Sequence, residues 1–409
     1  MSYRHSAVNL LLISLLCAGP WGCRKQPGPT FGMERPQAEW IRVLLFGNLT
    51  ECTLSSEGDL VITDEQTGSP VIFAGGRELT ARLDTDGLMI GNRYFGPDVM
   101  IRTEKPNVFN VNGMEFRGYL QLLRGDDGKS IAAINHLPLE SYLGGVIGAE
   151  MQSYWEPEAL KAQAVASRTY CLYIKNRFGS GRAWDLRRNQ AHQVYRGLEA
   201  ETAPTLEAIR ETAGQILVCR DDSGGLSIFP TYYSSACGGH TANSRDVFGD
   251  THRPLEGVEC PWCRTVTRGK LFYWSGFKVT LEEISQKLLE RYPSLERLVA
   301  VEEVQVAKQT DDGRVTSVLL KGKDGQTARL RGEDFRLSID PSGMKVKSTI
   351  FMLVRVKDGY VFRDGRGFGH GVGFCQSGGQ GMARQNKTYE EILQYYYPAS
   401  MLVHIQAEQ

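Results

Sequence analysis

The chain has 409 residues, of which 41% are hydrophobic and 23% charged, a globular composition that speaks against both a disordered and a membrane-embedded protein. At ~150 residues per domain this length allows two or three domains, with a core large enough to need no disulfide framework. Lys plus Arg is 47 and Asp plus Glu is 47, a formal net charge of zero. That balance argues against a dedicated nucleic-acid binder, which carries a basic excess or stripe.

Residues 1–23 start with Arg4 and His5, pass through an apolar run from Ala7 to Leu16, and reach Cys23. The run is short of the about 20 apolar residues a bilayer needs, and it fits an export signal peptide. Cleavage before Cys23 with lipid anchoring, plain export, and an uncleaved buried helix are the three readings. The Pro20-Trp21 pair is a poor match to the small residues preferred before a lipidated Cys. The expected location is the cell envelope or periplasm of a bacterial-type cell. Residues 24–38, rich in Pro and Gly, read as a linker.

From Trp40 to about residue 126 the pattern is one of short strands: WIRVLLFG, GDLVITD, SPVIFAG, LMIGNRYF and MEFRGYLQLLR. Turns at Gly75-Gly76 and Asp126-Asp127-Gly128 divide them. The period then changes. Leu139, Tyr142, Leu143, Val146 and Ile147 make the stripe of an amphipathic helix. A second helix follows in EPEALKAQAVASRTYCLYIKN, with Pro157 suited to its first turn. Further helices are expected in TLEAIRETAG, over 277–296 and in TYEEILQYYYP, with strands over 299–335 around Asp311-Asp312-Gly313 and Asp324-Gly325. The fold class is α+β with mostly antiparallel sheets. The expected organisation is a β-rich portion over 40–126 and one domain over 127–405.

Glu150 continues the apolar stripe at the C-terminal end of the first helix. Burial there and the negative end of the helix dipole would both raise its pKa, giving the protonated carboxyl a general acid needs. The alternative is a solvated Glu just past the helix end. In the second helix Lys161 and Arg168 share a face. They could bind an anionic substrate group or hold Glu150, or they could form an ordinary solvated face.

Cys237-Gly-Gly-His240 and Cys260-Pro-Trp-Cys263 supply three thiols and an imidazole at two-residue gaps. Each short turn can deliver two ligands to one metal, which suits a closed tetrahedral zinc site of structural type. Disulfides in an oxidising compartment and a catalytic zinc are the other readings. Near the C-terminus, Gly alternates with bulky residues from Gly365 to Gly373, with His370 among them. As an extended strand this would leave one face bare, open to a flat ligand or to another backbone. His370 reads either as a ligand contact beside Arg366 and aromatic rings or as an ordinary hydrogen-bonded histidine.

Taken together, LPLESYLGGVIGAEM, EALKAQAVASRTY, QVYRGL, YYSSACGGHT, GRGFGHGVGFCQSGGQGMA and TYEEILQYYYP resemble the SpoIID/LytB family of stage II sporulation protein D and amidase enhancers. The likeness covers roughly residues 127–400. It departs at Gln152, where Pro is usual, at Ser234, where His is usual, and at Phe374-Cys375-Gln376-Ser377, where Met-Ser-Gln-Tyr is usual. The resemblance implies an α+β fold with a cleft between lobes and lytic cleavage of peptide-stripped peptidoglycan strands. It implies Glu150 as the catalytic acid and then base, with Lys161, Arg168, Tyr233, Ser235, His370 and Gln376 as substrate contacts. It also admits a second role, as a non-catalytic wall-binding module that stimulates a separate amidase.

Overall fold

The computed structural model describes residues 39–405, apart from 105, 106, 126, 222 and 268. The expected signal peptide, Cys23 and the expected 24–38 linker therefore lie outside the described residues. The architecture is α+β with mostly antiparallel sheets, as the sequence indicated. Among the described residues no helix is long and apolar enough to cross a membrane.

The front portion builds two sheets. One has seven strands, with Trp40–Leu49 between Leu186–Arg187 and Ile131–Pro138. The other has six and carries Glu51–Ser55 and Val108–Val111. Their alternating residues point one set inward: Ile41, Val43, Leu60, Ile62, Val99 and Ile101 are all buried, the period-two burial of a half-covered sheet.

Ile131–Pro138 runs straight into helix α1, Leu139–Glu150. The whole predicted stripe is buried. Helix α2, Pro157–Phe178, begins at the expected proline and packs beside it. The predicted short helix is Ala203–Glu211, and the terminal one is Tyr389–Tyr396.

The boundary at 126/127 is not a boundary of the core. One apolar cluster runs from Ile41 through α1 and α2 to Val403, so the front sheets and the helices bury a single interior. The break comes elsewhere. Residues between Trp274 and Phe362 form a second apolar cluster of their own. It holds the helix Leu281–Arg291 and the antiparallel strands Val301–Gln309, Val315–Gly322 and Thr327–Arg331. The chain thus leaves the main core near 273 and returns near 365, where Tyr273–Trp274 pairs with Gly365–Arg366.

The glycine-alternating stretch is not the extended strand the pattern suggested. Only Gly365–Arg366 and Phe374–Cys375 are strand. Between them Gly367, Gly369, Gly371 and Gly373 all have positive φ, from 69° to 100°. Only glycine adopts this freely, so the alternation encodes a winding path. The bare positions do serve close approach to another backbone. A Cβ on Gly373 would sit 2.1 Å from the Tyr232 carbonyl oxygen, and one on Gly367 would sit 2.8 Å from that of Ala236.

Candidate functional site

Glu150 is the last residue of α1. Met151 is extended and gives its N–H to the Ile147 carbonyl, closing the helix. Two glycines set what meets that end. A Cβ on Gly148 would lie 2.0 Å from the Ala200 carbonyl oxygen, and one on Gly145 2.3 Å from the Tyr195 ring. Their absence lets the segment 193–200 lie directly on the helix, where the Arg196 N–H bonds the Gly145 carbonyl at 3.0 Å. The same segment then presents the Val194 N–H to Glu150 Oε1 at 2.8 Å.

Two more side chains close on the carboxylate, Tyr233 and Gln376. The residue as a whole is only half-buried, but its carboxyl is enclosed. Burial dominates, and it pushes the Glu150 pKa up to about 7 against the pull of the Val194, Tyr233 and Gln376 hydrogen bonds and the nearby Arg196 charge. The carboxyl therefore exchanges its proton near neutrality, as a group that must serve as acid and then as base requires.

A buried polar network fixes the two side-chain partners. Gln193 Nε2 donates to the Tyr233 hydroxyl at 3.0 Å, while Tyr142 donates to Gln193 Oε1 at 3.1 Å. Gln376 Nε2 donates to Gln163 Oε1 at 3.2 Å, and Gln163 Nε2 to Ser167 Oγ at 2.9 Å. Gln163, Ser167 and Gln193 are fully buried. The strand Tyr233–Ser234 pairs in parallel with Phe374–Cys375, and the Ser377 N–H bonds the Ser235 carbonyl at 3.0 Å. Two segments about 140 residues apart thus arrive at Glu150 as one unit.

The other expected contacts fall into place differently. His370 packs edge-on to Phe248 and Tyr232. Its Nδ1 accepts the Val372 N–H at 3.0 Å, and the ring bonds the Tyr233 backbone. Burial depresses its pKa to about 4, so it is neutral. It supports the Tyr233 strand. Ser235 acts through its carbonyl, as described.

The expectation for Lys161 and Arg168 is corrected. Arg168 is fully buried, with Nε and Nη2 gripping both oxygens of Glu140 at 2.8 and 2.7 Å. Its Nη1 donates to the Gln215 carbonyl. Lys161 pairs with Glu158 and Glu211 at 2.7 and 2.5 Å. Both cations are already neutralised by carboxylates, so Arg168 ties α2 to the first turn of α1 and Lys161 ties α2 to the helix beside it.

The metal ligand set is corrected as well. Cys237, Cys260, Cys263 and Cys375 gather their sulfurs within 4.8 Å of one another, all buried. His240 is outside this cluster, and its Nδ1 faces the Thr241 carbonyl at 2.7 Å. Gly238 and Gly239, with φ of +88° and +115°, turn the chain between Cys237 and His240. The fourth thiol instead comes from Cys375. Its sulfur accepts the Cys237 N–H at 3.2 Å. Among the described residues the cysteines are all free, so the disulfide reading is not realised.

A family model described as Stage II sporulation protein matches residues 127–219. A second, for a domain of unknown function (DUF8618), matches residues 265–373. An uncharacterized protein of Brachyspira hyodysenteriae is 32% identical over 296 residues, spanning 72% of this chain and 74% of the relative. Stage II sporulation protein D of Bacillus subtilis is 28% identical over 284 residues, spanning 66% and 76% respectively. The amidase enhancer of the same organism is 25% identical over 389 residues, spanning 86% of this chain and 52% of the relative.

The chain belongs to the SpoIID/LytB family.

Within this SpoIID/LytB protein, the first matched stretch holds α1, α2 and the Gln193–Val194 segment, and so Glu150 itself with one of its three hydrogen-bond partners. The second holds the inserted core and the glycine run. All four clustered cysteines lie outside both stretches. Sequence reading missed four residues: Gln193, Val194, Cys375 and Arg314. Gln193 opens the QVYRGL motif, but its partners are remote in sequence. Cys375 lies in the glycine run, far from both Cys pairs. Arg314 belongs to the inserted core and is buried. Its Nη2 donates to the Cys237 carbonyl at 2.6 Å and to that of His240 at 3.2 Å, and its Nη1 to that of His370 at 3.4 Å.

Proposed function

We propose that this protein cleaves peptide-stripped peptidoglycan glycan strands as a lytic transglycosylase, with Glu150 as the sole catalytic carboxyl. The observation that carries this reading is the enclosed Glu150 carboxyl, held by three donors with its pKa near 7. Family membership supports a cell-wall-related role. In the forward step the protonated Glu150 gives its proton to the glycosidic oxygen as the C1–O bond breaks. The carboxylate then removes the proton of the muramoyl C6 hydroxyl, whose oxygen attacks C1 and closes a 1,6-anhydro ring. The nucleophile is internal to the sugar, so the paired carboxylates of ordinary glycosidases are not required. The Val194, Tyr233 and Gln376 donors steady the carboxylate formed between the two transfers.

The four cysteines fit a structural zinc. A tetrahedral site with Zn–S of about 2.3 Å separates its sulfurs by about 3.8 Å, and the Cys237 and Cys263 sulfurs are 3.8 Å apart. Four protein ligands leave no open position, so the ion would act as a clamp. It would join the Tyr233 loop, the Cys260–Cys263 turn and the strand leading into Gln376. The proposed location is the cell envelope or periplasm, with Cys23 as the anchoring site if the chain is lipidated.

The second reading, a non-catalytic module that stimulates a cell-wall amidase, is favoured by the name of the amidase-enhancer relative. Incubation with peptide-free glycan strands, followed by mass spectrometry for anhydromuramoyl ends, separates the two. Products made by wild type and lost in Glu150→Gln support the enzyme. Strand binding without products, unchanged in Glu150→Gln, supports the module.

A further inference from the structure

With Lys161 and Arg168 sequestered, a different set of cations faces the neighbourhood of Glu150. A groove of about 790 Å³ is lined by Arg187, Arg188 and Arg196 together with Leu44 and Val194. Val194 connects it to the site, because its backbone N–H is the one that bonds Glu150 Oε1. Arg196 is near enough to act electrostatically on the Glu150 carboxyl.

None of the three guanidiniums has a carboxylate within 4 Å among the described residues. Arg188 is half-buried and lies over the Phe46 ring at 4.7 Å, with Nη1 on the Met114 sulfur at 3.2 Å. Those are weak partners for a partly desolvated cation. Arg187 stacks over Trp184 at 4.6 Å. Among the described residues, Glu199 is the only acidic side chain on the groove wall. Three arginines against one glutamate leave an excess positive charge that the fold does not satisfy. A groove of this volume accommodates a small sugar oligomer.

We propose that Arg188 and Arg196 form a carboxylate-binding subsite for the lactyl group of a peptide-free muramoyl residue next to the bond being cut. This deepens the proposed cleavage and rests on that reading for the position of the bond. Guanidinium recognises carboxylate by charge-assisted, often bidentate hydrogen bonds. A stem peptide on the lactyl group would turn that carboxylate into a neutral amide, so the subsite selects stripped strands. It acts by binding and registering the strand, while Glu150 does the chemistry.

The test measures binding by titration calorimetry to the Glu150→Gln protein, which separates recognition from turnover. Its ligands are a stripped glycan oligomer, the same oligomer with its carboxyls reduced to alcohols, and a free stem peptide. The Glu150→Gln protein should bind the stripped oligomer about tenfold or more tighter than the reduced one. Adding Arg196→Gln, at an exposed position, or Arg188→Lys should erase most of that difference. Equal discrimination with and without the arginine changes overturns the subsite, even if wild type makes anhydro ends. Tight competition by the free peptide also overturns it, because the carboxylate read would then be the peptide's. If wild type makes no anhydro ends but the arginine-dependent discrimination is present, the subsite stands and the cleavage reading fails.

Discussion

Glu150→Gln is the most informative substitution, because burial has a thermodynamic signature separate from catalysis. A free Glu titrates near 4.5, and the enclosed Glu150 near 7. Below 4.5 the folded and unfolded chains are both protonated at this position, and Glu150 costs nothing. Between 4.5 and 7 the unfolded chain ionises first, so the folded state loses stability as pH rises. Above 7 the loss is complete, and at 1.36 kcal/mol per pKa unit it amounts to about 3 kcal/mol. Gln does not titrate. The variant pays a pH-independent cost for presenting an amide to the donors that grip the carboxylate. The stability of wild type relative to the variant should therefore fall by about 3 kcal/mol between pH 4 and pH 8. Urea unfolding of both proteins by fluorescence at four pH values across this range measures it, since all other titrating groups cancel in the difference. A difference flat to within about 1 kcal/mol would show that the carboxyl is solvated, and the acid–base argument would go with it. In the glycan assay the same pKa predicts activity that declines about tenfold per pH unit above neutrality, as the acid form is depleted.

Tyr233→Phe removes one donor to the carboxylate, so the Glu150 pKa should climb by up to about one unit. The alkaline limb of the pH–rate profile should move with it while the maximal rate falls, and an unmoved limb would separate Tyr233 from Glu150. Cys375→Ser should release the metal and lower the unfolding midpoint, whereas His240→Ala should leave metal content at one ion per chain by elemental analysis. Loss in both or in neither would refute the four-thiolate assignment. Gly373→Ala forces a side chain into φ of +69° and 2.1 Å from the Tyr232 carbonyl oxygen. It should cost about 2 kcal/mol or more in denaturant melts. Arg314→Met leaves the Cys237, His240 and His370 carbonyls without this donor, which should cost about 3 kcal/mol. A melt indistinguishable from wild type would remove Arg314 as the tie between the inserted core and the cysteine loop.

Much of the fold is written locally. The stripe from Leu139 to Ile147 makes α1 because helical periodicity puts those side chains on one face, whatever that face meets. Pro157 starts α2 because its fixed φ and missing N–H suit a first turn. Glu150 was legible for the same reason: it extends an apolar stripe to a helix end. The glycine run was visible but misread. Alternation by two suggests a strand, and nothing local says that every second residue sits at positive φ.

Local pattern is enough to read the α+β class, the two helices that carry the site and the acid at the end of the first. Which partners that acid has depends on long-range packing. Val194, Tyr233 and Gln376 meet it from three separate segments. The same holds for the choice of Cys375 over His240 and for the neutralisation of Arg168 by Glu140. Such choices depend on chain ends brought together over tens to hundreds of residues. Periodicity and spacing report only the few residues on either side of a position, and packing of the whole interior settles the rest.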